Sequence, residues 1–235
     1  MAEKVRFKKL RLWLAYPVFL VYPFVARLTG GTFWVGSFIL LTGAAVRVWA
    51  AGYLIKSHHL TTCGPYALTR NPLYMGNFLV GLGVMVMSAN ALLVLYYVVS
   101  FSYLYAGTIR EEEGDLRRKF GKEFDDYAGC VPAFIPAPFA YPRREKRPFS
   151  WAHVLRNGEF IRLSGFGVLL AFLYLWYLAV SGRRWQEPRG IGAIVVFVAF
   201  LGLLWFNISI RRKAERTGGS SKDRLRAVLD GKEPK

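Results

Sequence analysis

The sequence predicts an all-α integral membrane protein with about six transmembrane helices arranged as three hairpins. Three observations carry this. Of 235 residues 54% are hydrophobic, with a mean hydropathy of +0.26. The apolar residues gather into runs of membrane-spanning length, and 32 Lys+Arg against 15 Asp+Glu, a formal charge of +17, lie largely between those runs. A soluble nucleic-acid binder matches the charge but not the apolar runs, so the basic residues read as membrane-flanking charge and nucleic acid is not expected as a partner.

The first predicted span is Leu10 to Leu28. Pro17 and Pro23 are tolerable there only if neighbouring helices or water satisfy the freed carbonyls. No small-residue cleavage site follows it, so it is expected to be a retained helix and not a signal peptide. The second span is Phe33 to Ile55. Tyr74 to Ile109 is too long for one crossing and is broken by Ser88-Ala89-Asn90, which predicts a tight helical hairpin. Phe160 to Val180 and Ile191 to Ile210 form a last pair around the loop from Gly182 to Gly190. The expected organisation is a core over 1–140 with four spans and a polar motif region, a basic linker over 141–159, a C-terminal hairpin over 160–210, and a charged mobile tail over 211–235.

Orientation follows from Lys and Arg outside the spans. One face receives Lys4, Arg6, Lys8, Lys9 and Arg11, then Lys56 and Arg70, the cluster from Arg110 to Arg156, and the tail. The other receives Arg27, Arg183, Arg184 and Arg189. Both termini are therefore expected in the cytosol. Cys63 and Cys130 fall on that reducing side, with neither CxxC pairing nor disulfide expected. The adjacent His58 and His59 lack convergent partners, so no metal site is expected.

Several polar residues stand at the ends of the apolar runs. Arg47 lies inside the second span, where a charge is costly and needs a partner. Gly36, Gly43, Ala44 and Ala51 share its neighbourhood and predict close packing against another helix, which directs Arg47 into protein and toward an ion pair with a glutamate. Cys63-Gly64-Pro65-Tyr66 is turn chemistry, and Asn71-Pro72 marks a helix start whose amides suit a carboxylate. Arg110, Glu111, Glu112 and Glu113 close the long hairpin. Consecutive residues on a helix diverge, so only some of the three carboxylates are able to face one pocket.

The pattern His58-x-Leu60-Thr61, Gly64-x-Tyr66, Arg70-Asn71-Pro72-x-Tyr74, a hairpin, Glu112-Glu113-x-x-Leu116, Phe120-Gly121-x-x-Phe124-x-x-Tyr127 and Val131 to Pro136 resembles the isoprenylcysteine carboxyl methyltransferase family, grouped with the phospholipid N-methyltransferases. The resemblance covers roughly residues 40 to 140. It implies an S-adenosyl-L-methionine-dependent membrane enzyme with a cytosolic cofactor pocket formed by loops and helix ends. It further implies a lipid or lipidated acceptor. By similarity His58, His59, Leu60, Thr61 and Tyr66 line the cofactor, Asn71, Pro72, Leu73 and Tyr74 form the helix-start contact, and Glu112 takes its amino group.

The residues agree in kind, since a zwitterionic amino acid needs donors for its carboxylate and a carboxylate for its ammonium, and a sulfonium is attracted to aromatic faces. Transfer to a carboxylate needs alignment and desolvation but no base, whereas an amine acceptor must lose a proton. Arg110, Glu111 and Glu113 are the candidate catalytic residues. One departure concerns the acceptor: the family's substrate-associated arginine falls four residues before the cofactor glutamate, where this chain has Thr108, and Arg110 points elsewhere on the helix. Two other classes fit less well. Sterol reductases using NADPH look similar in the Arg-x-Pro-x-Tyr region, and a noncatalytic anionic-lipid binder would need only the basic loops.

Overall fold

A computed structural model describes residues 21–55 and 59–180, together with residues 194–195, 197–199, 201–203, 205 and 209. The described residues contain helices and no strand. The chain divides into two compact units, Met1–Phe149 and Ser150–Lys235. The expected first span up to residue 20, His58, the loop before residue 194 and the tail lie outside the described residues.

In the first unit, residues 21–25 are helical and are followed by α1, Gly30–Tyr53. Thr29 caps α1 through a reciprocal box with Thr32, closing the first-turn donors that a helix leaves open. Then come a 3-10 turn at Gly64–Ala67, α2 at Pro72–Met87, α3 at Ala91–Phe120 and α4 at Lys122–Cys130. In the second unit lie α5, Trp151–Arg156, and α6, Glu159–Val180. Three helices are long and apolar enough to cross a membrane: Gly30–Tyr53, Ala91–Phe120 and Glu159–Ala179. Against the six expected spans, three stand among the described residues. Pro72–Met87 is apolar but has only 16 residues, about 24 Å of helix against a hydrocarbon core of about 30 Å.

The antiparallel pair α1 and α2 meets backbone to backbone at glycines. A Cβ on Gly36 would lie 2.4 Å from the Gly83 carbonyl oxygen, and one on Gly43 would lie 2.7 Å from that of Gly76. Gly76 and Gly83 face the same two positions in return. The seven-residue spacing on each helix keeps both glycine pairs on one seam, and absence of side chains lets the axes approach closely enough for dispersion to hold them. The close packing predicted around Gly36 and Gly43 is present.

At one end of this pair, Ser88, Ala89 and Asn90 form the predicted tight turn. Ala89 adopts φ 50°, and the Asn90 side chain accepts from the Leu92 and Leu93 amides to start α3. The Ser88 carbonyl accepts from the Arg27 amide, and the Tyr22 hydroxyl donates to Val84 O, tying residues 22–27 to the hairpin.

Arg47 is buried, with its stem against Gly76. It donates to Asn77 Oδ1 at 2.5 Å and to Leu73 O at 3.3 Å. These acceptors are amide oxygens on α2, where the sequence had pointed to a glutamate. In the second unit, Glu159 is buried in the first turn of α6 and pairs with Arg162 at 2.8 Å.

Candidate functional site

The polar end of the first unit is a set of loops strapped together around α4. Asn71-Pro72 starts α2 as predicted; of its first-turn amides, Pro72 has no N–H and the Tyr74 amide bonds to Asn71 O, which narrows the open anion-binding donors expected there. Two chain segments far apart in sequence run antiparallel here. The Arg70 amide donates to Pro132 O, the Ala137 amide to Leu68 O, the Tyr141 amide to Ala67 O and the Glu145 amide to Thr62 Oγ1. Beneath them Leu60, Ala67, Phe124, Tyr127, Val131 and Tyr141 form a buried core. Residues 141–149, read from sequence as the beginning of a linker, pack into this unit: Tyr141 is buried and Phe149 meets Tyr53 edge to face at 5.9 Å.

Arg70 is the hub. Its Nε donates to Glu113 Oε1 at 2.8 Å, and its Nη1 donates to Ala128 O at 2.7 Å and Val131 O at 2.6 Å. One guanidinium therefore holds the end of α3 and the last turn of α4 against the start of α2, using the fixed fork that lysine lacks. Tyr127 donates its hydroxyl to Tyr66 O at 2.6 Å. Burial pushes the Tyr127 phenol well above its ordinary pKa, with nearby Arg70 opposing and Glu113 adding to the shift.

With Arg70 holding Glu113, the next carboxylate turns toward Tyr74, whose hydroxyl donates to Glu112 Oε1 at 2.5 Å. The Tyr74 ring meets Tyr105 edge to face at 4.9 Å, and Tyr105 stacks on Phe101 at 3.8 Å. Phe78 and Phe134 extend the aromatic group, each contacting Phe101. Glu111 Oε1 is buried, with no hydrogen-bond partner among the described residues. Thr108 donates its hydroxyl back to Leu104 O, and Arg110 is exposed.

The sequence-predicted site residues thus separate. Tyr74 and Glu112 come together, and Asn71 joins the strap by donating to Ala133 O. Pro72 is buried in the first turn of α2, and Leu73 supplies a carbonyl to Arg47. Leu60 and Tyr66 are buried in the strap, while Thr61 accepts weakly from the Ile55 amide. His59 is half-exposed and contacts Glu145, which pairs with Arg147 at 2.7 Å. Cys63 is buried and free, its thiol pKa pushed up by that burial, and Cys130 is free and exposed.

Sequence reasoning missed Phe101 and Tyr105. Their signal was present in the spacing Phe101, Tyr105, Glu112, which recurs on one face of a 3.6-residue helix. It also missed Thr69, buried and donating to Phe134 O at 3.0 Å, for which no local pattern exists.

Residues 25–123 match the family model for phospholipid methyltransferases. The nickel-cobalt-cadmium resistance protein NccN of Alcaligenes xylosoxydans xylosoxydans is 45% identical over 94 residues, 38% of this chain and 43% of that protein. The cobalt-zinc-cadmium resistance protein CzcN of Cupriavidus metallidurans is 38% identical over 92 residues, 38% of this chain and 42% of that protein. Protein-S-isoprenylcysteine O-methyltransferase of Mus musculus is 35% identical over 80 residues, 34% of this chain and 28% of the relative. The matched stretch spans less than half the length of each of these relatives. No solved structure matches the chain. The family match over residues 25–123 includes the seam glycines, Arg70, Tyr74 and Glu112, and the chain is also similar over part of its length to protein-S-isoprenylcysteine O-methyltransferases.

Proposed function

We propose that this protein is an integral membrane S-adenosylmethionine-dependent methyltransferase acting on a lipidic or lipidated acceptor at the membrane boundary, with carboxyl O-methylation as the leading chemistry. The observation that carries it is the Tyr74–Glu112 pair at the rim of the Tyr105–Phe101 stack. In this reading both termini and the site are cytosolic, because Lys and Arg crowd that side.

The residues fit the cofactor. Glu112 is an exposed carboxylate fixed by a phenol, suited to an ammonium group, and the neighbouring aromatic faces suit a sulfonium. The unpartnered Glu111 Oε1 is a further demand for positive charge or a donor in this region, since a buried carboxylate oxygen is costly when left alone. When bound, S-adenosylmethionine supplies an electrophilic methyl group. The chain's own contribution is orientation: Arg70 locks Glu113, which fixes the rotation of α3 and presents Glu112 to Tyr74.

Of the three candidate catalytic residues, Glu113 is engaged by Arg70 and Arg110 is exposed, so Glu111 is the carboxylate left to accept a proton. A carboxylate acceptor needs none. A second reading, phospholipid N-methylation, is favoured by the family match over residues 25–123 and by Thr108 at the place of a substrate arginine, and it would use Glu111 as base. Titration of S-adenosylhomocysteine into the purified protein in nanodiscs tests the cofactor assignment. Saturable binding is expected, weakened about tenfold or more in Glu112→Gln through loss of a charge-assisted hydrogen bond. Unchanged affinity in a folded Glu112→Gln variant contradicts the assignment.

A further inference from the structure

The segment after α4, Val131-Pro-Ala-Phe-Ile-Pro-Ala-Pro-Phe139, is not used by the proposed chemistry and has an unusual surface. Ile135 is 76% exposed and Phe139 is 83% exposed, a costly display if the loop faced water. Its depth gives the reason. Phe134 packs against Phe101 at 6.3 Å and Phe78 at 5.8 Å. Phe101 precedes Arg110, the first charged residue of α3, by nine residues, about 13 Å of helix on the apolar side of that charge. On the same stretch of α3, Val99 and Tyr103 are exposed, so the surrounding surface is of the kind that meets lipid.

Non-helical backbone tolerates low dielectric only when its polar groups are satisfied within the protein. The side of this loop that faces residues 68–71 meets that condition, and its remaining backbone groups are left to the headgroup layer. Pro132, Pro136 and Pro138 have no N–H to satisfy. The carbonyls of Pro132, Ala133 and Phe134 accept in turn from the Arg70 amide, Asn71 Nδ2 and Thr69 Oγ1, and the Ala137 amide donates to Leu68 O. Just beyond, Arg143, Arg144 and Lys146 are exposed, a set of cations placed to meet anionic headgroups.

We propose that residues 134–139 form a loop inserted into the headgroup–acyl boundary of the same bilayer the chain spans, with Arg143 and Arg144 contacting anionic phospholipid headgroups above it. The loop is held from behind by Thr69, Arg70 and Asn71, so insertion needs no refolding. It stands beside the Phe101–Tyr105 stack and supplies the lipid-facing wall next to the site. Insertion of the loop is independent of methyl transfer and holds whatever reaction the site performs.

Spin labelling of the full chain in nanodiscs of phosphatidylcholine and phosphatidylglycerol tests it. Labels are placed singly at Ile135→Cys and Phe139→Cys in a Cys130→Ser background, with Val99→Cys as a lipid-facing reference and Lys122→Cys as a water-facing one. The expected ratio of oxygen to nickel-chelate collisions at 135 and 139 is several-fold above that at 122 and close to that at 99. Ratios equal to that at 122, or labels shielded from both reagents as under a protein partner, overturn the proposal. Removing phosphatidylglycerol, or Arg143→Gln with Arg144→Gln, is expected to lower the ratio at 139. An unchanged ratio in both arms overturns the headgroup contact.

Discussion

The glycine seam between α1 and α2 and the strap around α4 hold the same unit together by opposite means. In the seam, removal of side chains allows contact, and stability comes from backbone surfaces fitted at Gly36–Gly83 and Gly43–Gly76. In the strap, side chains reach across sequence separations of 43 to 86 residues, and stability comes from the Arg70–Glu113 ion pair and from hydrogen bonds such as Arg70 to Ala128 and His59 to Glu145. The seam belongs in lipid, where apolar burial drives little and shape decides. In the proposed reading the strap lies at the membrane surface, where its polar groups position Glu112 and Tyr74.

The seam is where a single substitution does most damage. Gly83→Leu would place a Cβ 2.5 Å from Gly36 O and 2.7 Å from the Leu40 amide, both backbone atoms. It is expected to cost about 3 kcal/mol or more, read as loss of folded protein in fluorescence-detected size exclusion. In the strap, Arg70→Leu strands Glu113 and two carbonyls in a partly buried site and is expected to cost about 3 kcal/mol. Thermal unfolding in detergent checks this. Arg70→Lys restores only part of the loss, because an ammonium does not reproduce the fork.

Tyr127→Phe probes the strap at smaller cost. Loss of the bond to Tyr66 O is expected to destabilise by about 1 kcal/mol. Because the folded-state pKa of Tyr127 lies above its unfolded value, its contribution is fully present below pH about 10 and falls as pH rises further. The stability of wild type should therefore fall more steeply above pH about 10 than that of the Phe variant, as measured by denaturant titration at several pH values. The smallest effect is expected at Ala89, in the turn that closes the seam, whose φ of 50° disfavours a Cβ. Ala89→Gly should stabilise by about 0.5 kcal/mol in the same titration, with relief of strain partly offset by chain entropy.

The seam was legible because its determinants are local. Gly36 and Gly43 announce a close approach, and Ser88-Ala89-Asn90 announces the turn that brings a partner helix back. The strap was legible only in its parts. Arg70, Asn71, Pro72, Tyr74 and Glu112 stand out by residue type, yet nothing near Arg70 indicates that its acceptors are Ala128 O and Val131 O, since backbone carbonyls leave no mark in sequence. The same reason explains Arg47, for which a carboxylate was expected and the amide oxygens of Asn77 and Leu73 are found. The six-span reading counted the first half of the Tyr74–Ile109 hairpin as a span, and the helix found there, Pro72–Met87, ends at the expected turn but has only 16 residues.

If the strap exists to hold a methyl-transfer site at the membrane boundary, the transfer itself is the most direct thing to measure. The full chain in nanodiscs is incubated with methyl-labelled S-adenosylmethionine and a native lipid extract, and the lipid and lipidated fractions are then read by mass spectrometry. Label is expected on an acceptor in those fractions and is expected to be lost in a folded Glu112→Gln variant. Bound cofactor with no label in any lipid or lipidated product, or label undiminished by Glu112→Gln, would contradict a methyl-transfer site built on Tyr74 and Glu112.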